Sequence, residues 1–293
     1  MNRVQDLLMG AVAAVVATPF MAATAAAGTI TVFSTGSPNG LIATASHPAS
    51  TTSLETETAD DFILGQSAII SGATFTGLLP TGAPLSSISD VEIELYHVFP
   101  LDSTNPPDGR VATRTNSPSD NEFAAFDGGL GDLTFTPTVV SASFAAANSV
   151  VTGIFASPNQ FTGGEGAVTG EEVQIAVTFT TPFLVGATAH DFFRPEVALT
   201  SGTFLWLSAP KPITSPGSPF QFPGGSSTDL QSWIRNDGTG GLAPDWERIG
   251  TDVTHQGPFN ASFSLQGTFV PEPSSVILVG LGLAALVWWR MRG

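Results

Sequence analysis

Residues 172–180 read EVQIAVTFT. Val173, Ile175, Val177 and Phe179 alternate with Gln174, Ala176 and Thr178. A period of two places the four apolar side chains on one face of an extended strand. The same alternation runs through Asp90 to Phe99, where Val91, Ile93 and Leu95 alternate with Glu92, Glu94 and Tyr96. It recurs in Asn260 to Phe269, where Phe263, Leu265 and Phe269 share a face. Each pattern predicts a strand with one face in a core and the other in solvent. Shorter candidate strands are Thr29 to Phe33, Asp61 to Leu64, Ala68 to Phe75, Thr138 to Phe144, Glu196 to Leu199, Thr203 to Ser208 and Leu230 to Ile234.

Turn clusters separate these strands: Asn105-Pro106-Pro107-Asp108-Gly109, Asp127-Gly128-Gly129 and Asp237-Gly238. No long stretch of helical period lies between the chain ends, and no internal repeat is visible. The reading is all-β: an antiparallel β-sandwich, jelly-roll-like, with a second small β-domain left open. Two long irregular loops are expected, Ser103 to Asp120 and the proline-rich Ala209 to Gly225.

Composition narrows the chemistry. The 293 residues include 9 Lys and Arg against 25 Asp and Glu, a net charge of -16. Lys211 is the one lysine, so the phosphate-binding surface of a nucleic-acid binder is excluded. Cysteine is absent, which removes disulfides and every cysteine-based metal, redox or catalytic site. Charge-driven disorder is excluded too, with 42% hydrophobic and 12% charged residues. The acidic balance suits a solvated surface among polymers, with Ca²⁺ as a bridge to anionic ones.

The two ends read differently from the body. Arg3 precedes an unbroken apolar run of 11 residues, Leu7 to Ala17, and small residues lead to Ala25-Ala26-Ala27-Gly28. That order is a charged region, a short apolar helix and an A-x-A cleavage site, a secretory signal peptide over residues 1–27. The C-terminal stretch from Val270 is VPEPSSVILVGLGLAALVWWRMRG. Pro271-Glu272-Pro273 comes first, then Val276 to Trp289 without a charge, then Arg290 and Arg292. As a helix, Ser274 to Trp289 spans about 24 Å, short of the roughly 30 Å hydrocarbon core. A temporary transmembrane anchor fits that length. Basic residues outside both apolar runs keep both ends in the cytoplasm while the body is exported.

This ordered C-terminal set resembles a PEP-CTERM sorting signal. The resemblance covers residues 270–293. It implies that a membrane protease-transpeptidase, exosortase, cleaves near Pro271, Glu272 and Pro273, with Val276 to Trp289 as anchor and Arg290 and Arg292 as the membrane stop. It also implies release to the cell surface or extracellular polysaccharide matrix of Gram-negative bacteria. The proline-flanked segment stays extended, as a protease cleft requires.

The body, 28–269, offers few chemical constellations. No H-E-x-x-H, G-x-S-x-G, P-loop or dinucleotide fingerprint occurs. His47, His97, His190 and His255 are scattered, and His190-Asp191 reads as a surface loop pair. Asp60-Asp61, within ADDF, read as solvated acids at a turn leading into a strand, with weak Ca²⁺ binding as the alternative. Trp233 and Trp246 flank Arg235, Asn236 and Asp237, a polar loop that would suit a carbohydrate contact. The alternative there is ordinary strand packing. No cofactor and no catalytic residue are expected. The expected function is an exported surface or matrix protein of structural or interaction type, not an enzyme. Its partners are exosortase, the secretion machinery and the membrane, with an exopolysaccharide-associated carbohydrate-binding module as the alternative.

Overall fold

The computed structural model describes residues 28–50, 53–98, 117–119, 121–151, 162–210, 213–214, 218–219, 231–236 and 246–271, with residues 282, 283, 288, 290 and 291 beyond. The signal-peptide run, residues 272–281, and most of both long loops lie outside the described residues.

The strands are β1 (Ile30–Ser34), β2 (Ile42–Ala45), β3 (Thr56–Ile63), β4 (Ala68–Leu79), β5 (Ile88–His97), β6 (Ala124–Asp127), β7 (Leu133–Ala146), β8 (Asn148–Val150), β9 (Val168–Val185), β10 (His190–Leu199), β11 (Leu205–Ala209), β12 (Ile213–Thr214), β13 (Ser218–Pro219), β14 (Trp233–Asn236), β15 (Glu247–Arg248), β16 (Asn260–Ala261) and β17 (Phe263–Phe269). They form two sheets. The larger runs β13-β12-β1-β17-β4-β11-β2-β8, with β9 and then β7 added on the other side of β4 and β16 beside β11. The smaller runs β15-β14-β3-β10-β5-β6. Every pairing is antiparallel except β2 with β8. The protein is all-β, as the alternation predicts.

One antiparallel ribbon joins the sheets. β3 pairs with β10 in the small sheet, ending at Ile63 opposite His190. β4 pairs with β9 in the large sheet, starting at Ala68 opposite Val185. Residues 64–67 and 186–189 carry both strands around the corner, where the Thr188 N–H donates to the Leu64 carbonyl (2.8 Å). Thr188 takes a left-handed φ of 60° there.

The core lies between the sheets. Phe33, Phe75, Ile175, Trp206 and Phe263 from the large sheet meet Phe62, Ile93, Leu95 and Phe193 from the small one, all buried. Phe193 stacks on Phe263 across the gap at 5.0 Å between centroids and 4° between planes. Such offset pairs add about 0.5–1.5 kcal/mol beyond burial. Gly77 lets β4 pass under Phe204: a Cβ there would sit 2.2 Å from the ring.

Three expectations are corrected. Asp60 and Asp61 lie within β3 and are fully buried. They are not solvated turn acids, because each has a partner inside the protein. His190 and Asp191 open β10, and each binds another residue: His190 Nε2 lies 2.9 Å from Asp61, and His97 Nδ1 lies 2.7 Å from Asp191. Third, the polar positions of the small sheet do not simply face water. Arg194 and Glu196 are 2% and 1% exposed. No helix among the described residues is long and apolar enough to cross a membrane.

Candidate functional site

Two places concentrate the residues that the sequence singles out. The first is the small-sheet face turned away from the core. Pairing puts Arg235 of β14 opposite Glu57 of β3, and Arg194 of β10 opposite Glu94 of β5. Glu196 lies opposite Glu92, and Glu92 opposite Asp127 of β6. Side chains two residues apart share a face, so five strands aim acids and arginines at one another.

Arg194 sits at the centre. Its Nε donates to Glu57 Oε1 at 2.9 Å, and Nη2 reaches the same oxygen. Nη2 also meets Glu55 at 3.0 Å and Glu94 at 3.4 Å, while Nη1 lies 3.2 Å from Glu196. Arg235 Nε grips the other oxygen of Glu57, and its Nη2 donates to Glu57 (3.0 Å) and the Tyr96 hydroxyl (3.1 Å). The Tyr96 hydroxyl in turn donates to Glu94. The Arg235 guanidinium lies 4.5 Å over the Trp246 ring, a cation–π contact. Tyr96 meets Trp246 edge-on at 5.6 Å.

Burial and neighbours set the protonation. Burial raises Glu57, but Arg194 and Arg235 outweigh it and hold the carboxyl below its ordinary range. Burial pushes Glu196 up to about 9 against the pull of Arg194. Burial raises Glu92 to about 7, with Arg194 opposing and Glu94 and Asp127 adding to the rise. At neutral pH the cluster thus pairs two arginines with an ionised Glu57 beside an uncharged Glu196. A neutral acid beside a carboxylate is a hydrolase-like contrast. Here both are sealed, so the arrangement locks β3, β5, β10 and β14 together.

The structure brings Trp233, Arg235 and Trp246 into this cluster. Both tryptophans are fully buried, so neither offers a ring face to solvent. Asn236 is the last residue of β14, and Asp237 lies outside the described residues. The sequence reading missed Glu57, Glu94, Arg194 and Glu196. The one signal was the non-alternating stretch HDFFRPEVAL, residues 190–199, whose charges sit among core positions. Asp60 points to the opposite face. It accepts from Ser232 Oγ (2.9 Å) and the Ala261 N–H (3.0 Å), and burial, then the Asp61 charge, raises its carboxyl well above the usual range. That suits a structural acceptor better than a calcium ligand. Among the described residues no group of three or more His, Asp or Glu gathers in metal-holding geometry.

The second place is where the chain leaves the large sheet. β17 ends at Phe269, paired with Ala68. The Val270 N–H still donates to the Ser67 carbonyl (2.8 Å), and Gln66 Nε2 reaches the Val270 carbonyl at 3.4 Å. Pro271 has no N–H, so the ladder stops there. It is exposed. A family model described as the PEP-CTERM protein-sorting motif matches residues 269–292.

The chain carries a PEP-CTERM sorting motif. The motif implies an exported protein with exosortase as its processing partner. It starts on the last residue of β17, so body and sorting signal join without a linker. Of its expected elements, Pro271 is exposed beside the sheet and Arg290 is helical and exposed. Glu272, Pro273 and Arg292 lie outside the described residues. No curated protein and no solved structure matches the chain.

Proposed function

We propose that this is a structural or interaction protein of the cell surface or extracellular matrix, and not an enzyme. Residues 1–27 act as a cleaved signal peptide. Residues 28–269 form the exported body, which we read as a jelly-roll-like β-sandwich because one ribbon, β3–β4 against β9–β10, wraps both sheets. Val276 to Trp289 hold the precursor in the membrane, with Arg290 and Arg292 inside, until exosortase cuts near Pro271 to Pro273.

The observation that carries this reading is the abutment of the sorting motif on β17. A body joined to its signal through Val270 alone is delivered as a folded unit, with no residual tail to act as a tether. The test is intact-mass spectrometry of the protein from its native host. A mature species starting near Gly28 and ending near Pro271 to Pro273 is expected. A species that retains Arg290 and Arg292 defeats the sorting reading.

A further inference from the structure

The chain enters and leaves the body at one end. β1 runs antiparallel to β17 with Ile30 opposite Gly267, so residue 28 and residue 270 emerge side by side. At that end of the large sheet two apolar side chains face outward as a cross-strand pair. Ile69 of β4 is directly opposite Leu184 of β9, and they are 43% and 63% exposed. Ile30, at the rim of the same end, is 46% exposed. The segments that build this corner, 28–33, 64–70, 183–189 and 263–271, contain no Asp, Glu, Lys or Arg. Over the whole chain 12% of residues are charged. The next acid along the sheet edge is Asp132, whose carbonyl binds the Thr180 N–H. On the small-sheet side of the same end, Asp61 and Asp191 are each engaged by a histidine.

We infer that the Ile69–Leu184 corner rests on the lipid surface while the precursor is anchored. The inference deepens the sorting reading and rests on it. Distance keeps the corner close to the bilayer. Phe269 is fixed in the sheet, and six residues, 270–275, precede the apolar segment that begins at Val276. Extended chain spans at most about 3.6 Å per residue, so the corner stays within about 25 Å of the hydrocarbon. An uncharged, apolar corner is what such a position selects in a protein of net charge -16. Charged corners would be held off by lipid headgroups and by the cost of desolvation. The partner is a bilayer surface and not a second protein, because the leash from the sheet leads directly into it.

The absence of cysteine makes a direct test available. The full-length chain carries a single Ile69→Cys, Leu184→Cys or Ser201→Cys exchange and an environment-sensitive fluorophore. Ser201 follows β10, which leads away from this end for nine residue steps, about 30 Å. Each variant is inserted into phosphatidylcholine vesicles with nitroxide-headgroup lipid, and vesicle flotation is read alongside. Flotation of all three, with strong quenching at 69 and 184 and at least fivefold less at 201, is expected. Adding Leu184→Glu to the Ile69→Cys chain should leave flotation intact and cut quenching at 69 severalfold. Flotation with equal or absent quenching at 69 and 201 overturns the corner contact and leaves the anchor standing; this is also the outcome if the corner serves a protein. Failure to float overturns the anchor and the contact together.

Discussion

Arg194 meets Glu57 twice, with Nε at 2.9 Å and Nη2 both donating to one carboxylate oxygen, and neither side chain is more than 7% exposed. This ion pair is the centre of a buried network, so its loss is not a surface effect. Removing one partner of a buried pair costs about 3–5 kcal/mol, because the other charge stays buried alone. Arg194→Met should therefore lower unfolding free energy in urea at pH 7 by that amount. Arg194→Lys should recover little, since an ammonium lacks the planar fork that serves Glu57, Glu55 and Glu196 together. A loss below about 1 kcal/mol for Arg194→Met would show that the network contributes no more than an exposed pair.

The same network predicts an acid-favoured stability profile. Glu196 and Glu92 have folded values raised to about 9 and about 7. The folded state therefore holds protons that the unfolded chain has released, and stability falls as pH rises from about 4.5 toward 9. Glu57 has the opposite sign. Its folded value is lowered, so its stabilisation is present above about 4.5 and lost as pH falls through the lower folded value. The two trends place maximal stability near pH 5. Thermal melts across pH 3–10 should show this maximum, and Glu196→Gln should flatten the decline between pH 7 and 9. A melting temperature constant over that interval in the parent protein would refute the assignment of Glu196 as a neutral acid.

Much of the fold is legible because the core faces obey simple alternation. Val173, Ile175 and Val177 are buried and Gln174, Ala176 and Thr178 are exposed, as their spacing predicts. The expected strands all contain or overlap observed ones. β2, β6, β8, β12, β13 and β15 escape, being two to four residues long and too short to establish a period; β12 and β13 pair within the stretch expected as a proline-rich loop. The Arg194 cluster escapes for a different reason. Its members are contributed by four strands far apart in sequence, and each looks locally like a solvent-facing polar residue. Glu92 and Glu94 are indistinguishable from surface acids until Arg194 is placed opposite Glu94 by the pairing of β10 with β5. Trp233 and Trp246 invite a binding role on type alone, yet packing decides their exposure. The sorting motif is legible in full because its order is linear and needs no tertiary partner.

Asp60 should tolerate loss of charge but not loss of its oxygens. It accepts from Ser232 and from the Ala261 N–H, both buried. Its raised carboxyl value means that ionisation there is already disfavoured. Asp60→Asn keeps an acceptor for Ala261 and should change stability by less than about 1 kcal/mol. Asp60→Ala strands two buried donors and should cost about 2–4 kcal/mol. Equal losses for the two variants, measured by urea unfolding at pH 7, would point to a required negative charge and reopen a cation at this position.

Gly77 should resist even the smallest side chain. A Cβ would sit 2.2 Å from Phe204 and 2.6 Å from the Leu205 carbonyl. Phe204 is fully buried and meets Phe75 edge-on at 5.9 Å, so it has no open space to enter. Overpacking of this kind costs about 1–3 kcal/mol, and the backbone contact puts Gly77→Ala at the upper end. An unchanged melting temperature would mean that β4 and β11 can separate freely.

The junction at Val270 predicts where the body stops resisting a protease. Backbone held in a sheet must open before it can occupy a cleft, whereas an exposed segment past the ladder needs no opening. The Phe269 backbone is paired with Ala68, and the Val270 N–H is bound to Ser67. Pro271 ends the hydrogen bonding and is exposed. Limited digestion of the detergent-solubilised full chain with a broad-specificity protease should leave a stable fragment whose C-terminus falls at or after Pro271. Gln66→Ala removes the 3.4 Å contact to the Val270 carbonyl and should leave that boundary within one or two residues, because the Ser67 bond and the β17 ladder persist. A principal cut inside residues 263–269 would mean that β17 peels away from β4. In that case the sorting enzyme would receive a partly unzipped strand, and the distance argument that holds the Ile69–Leu184 corner against the lipid would lose its fixed point.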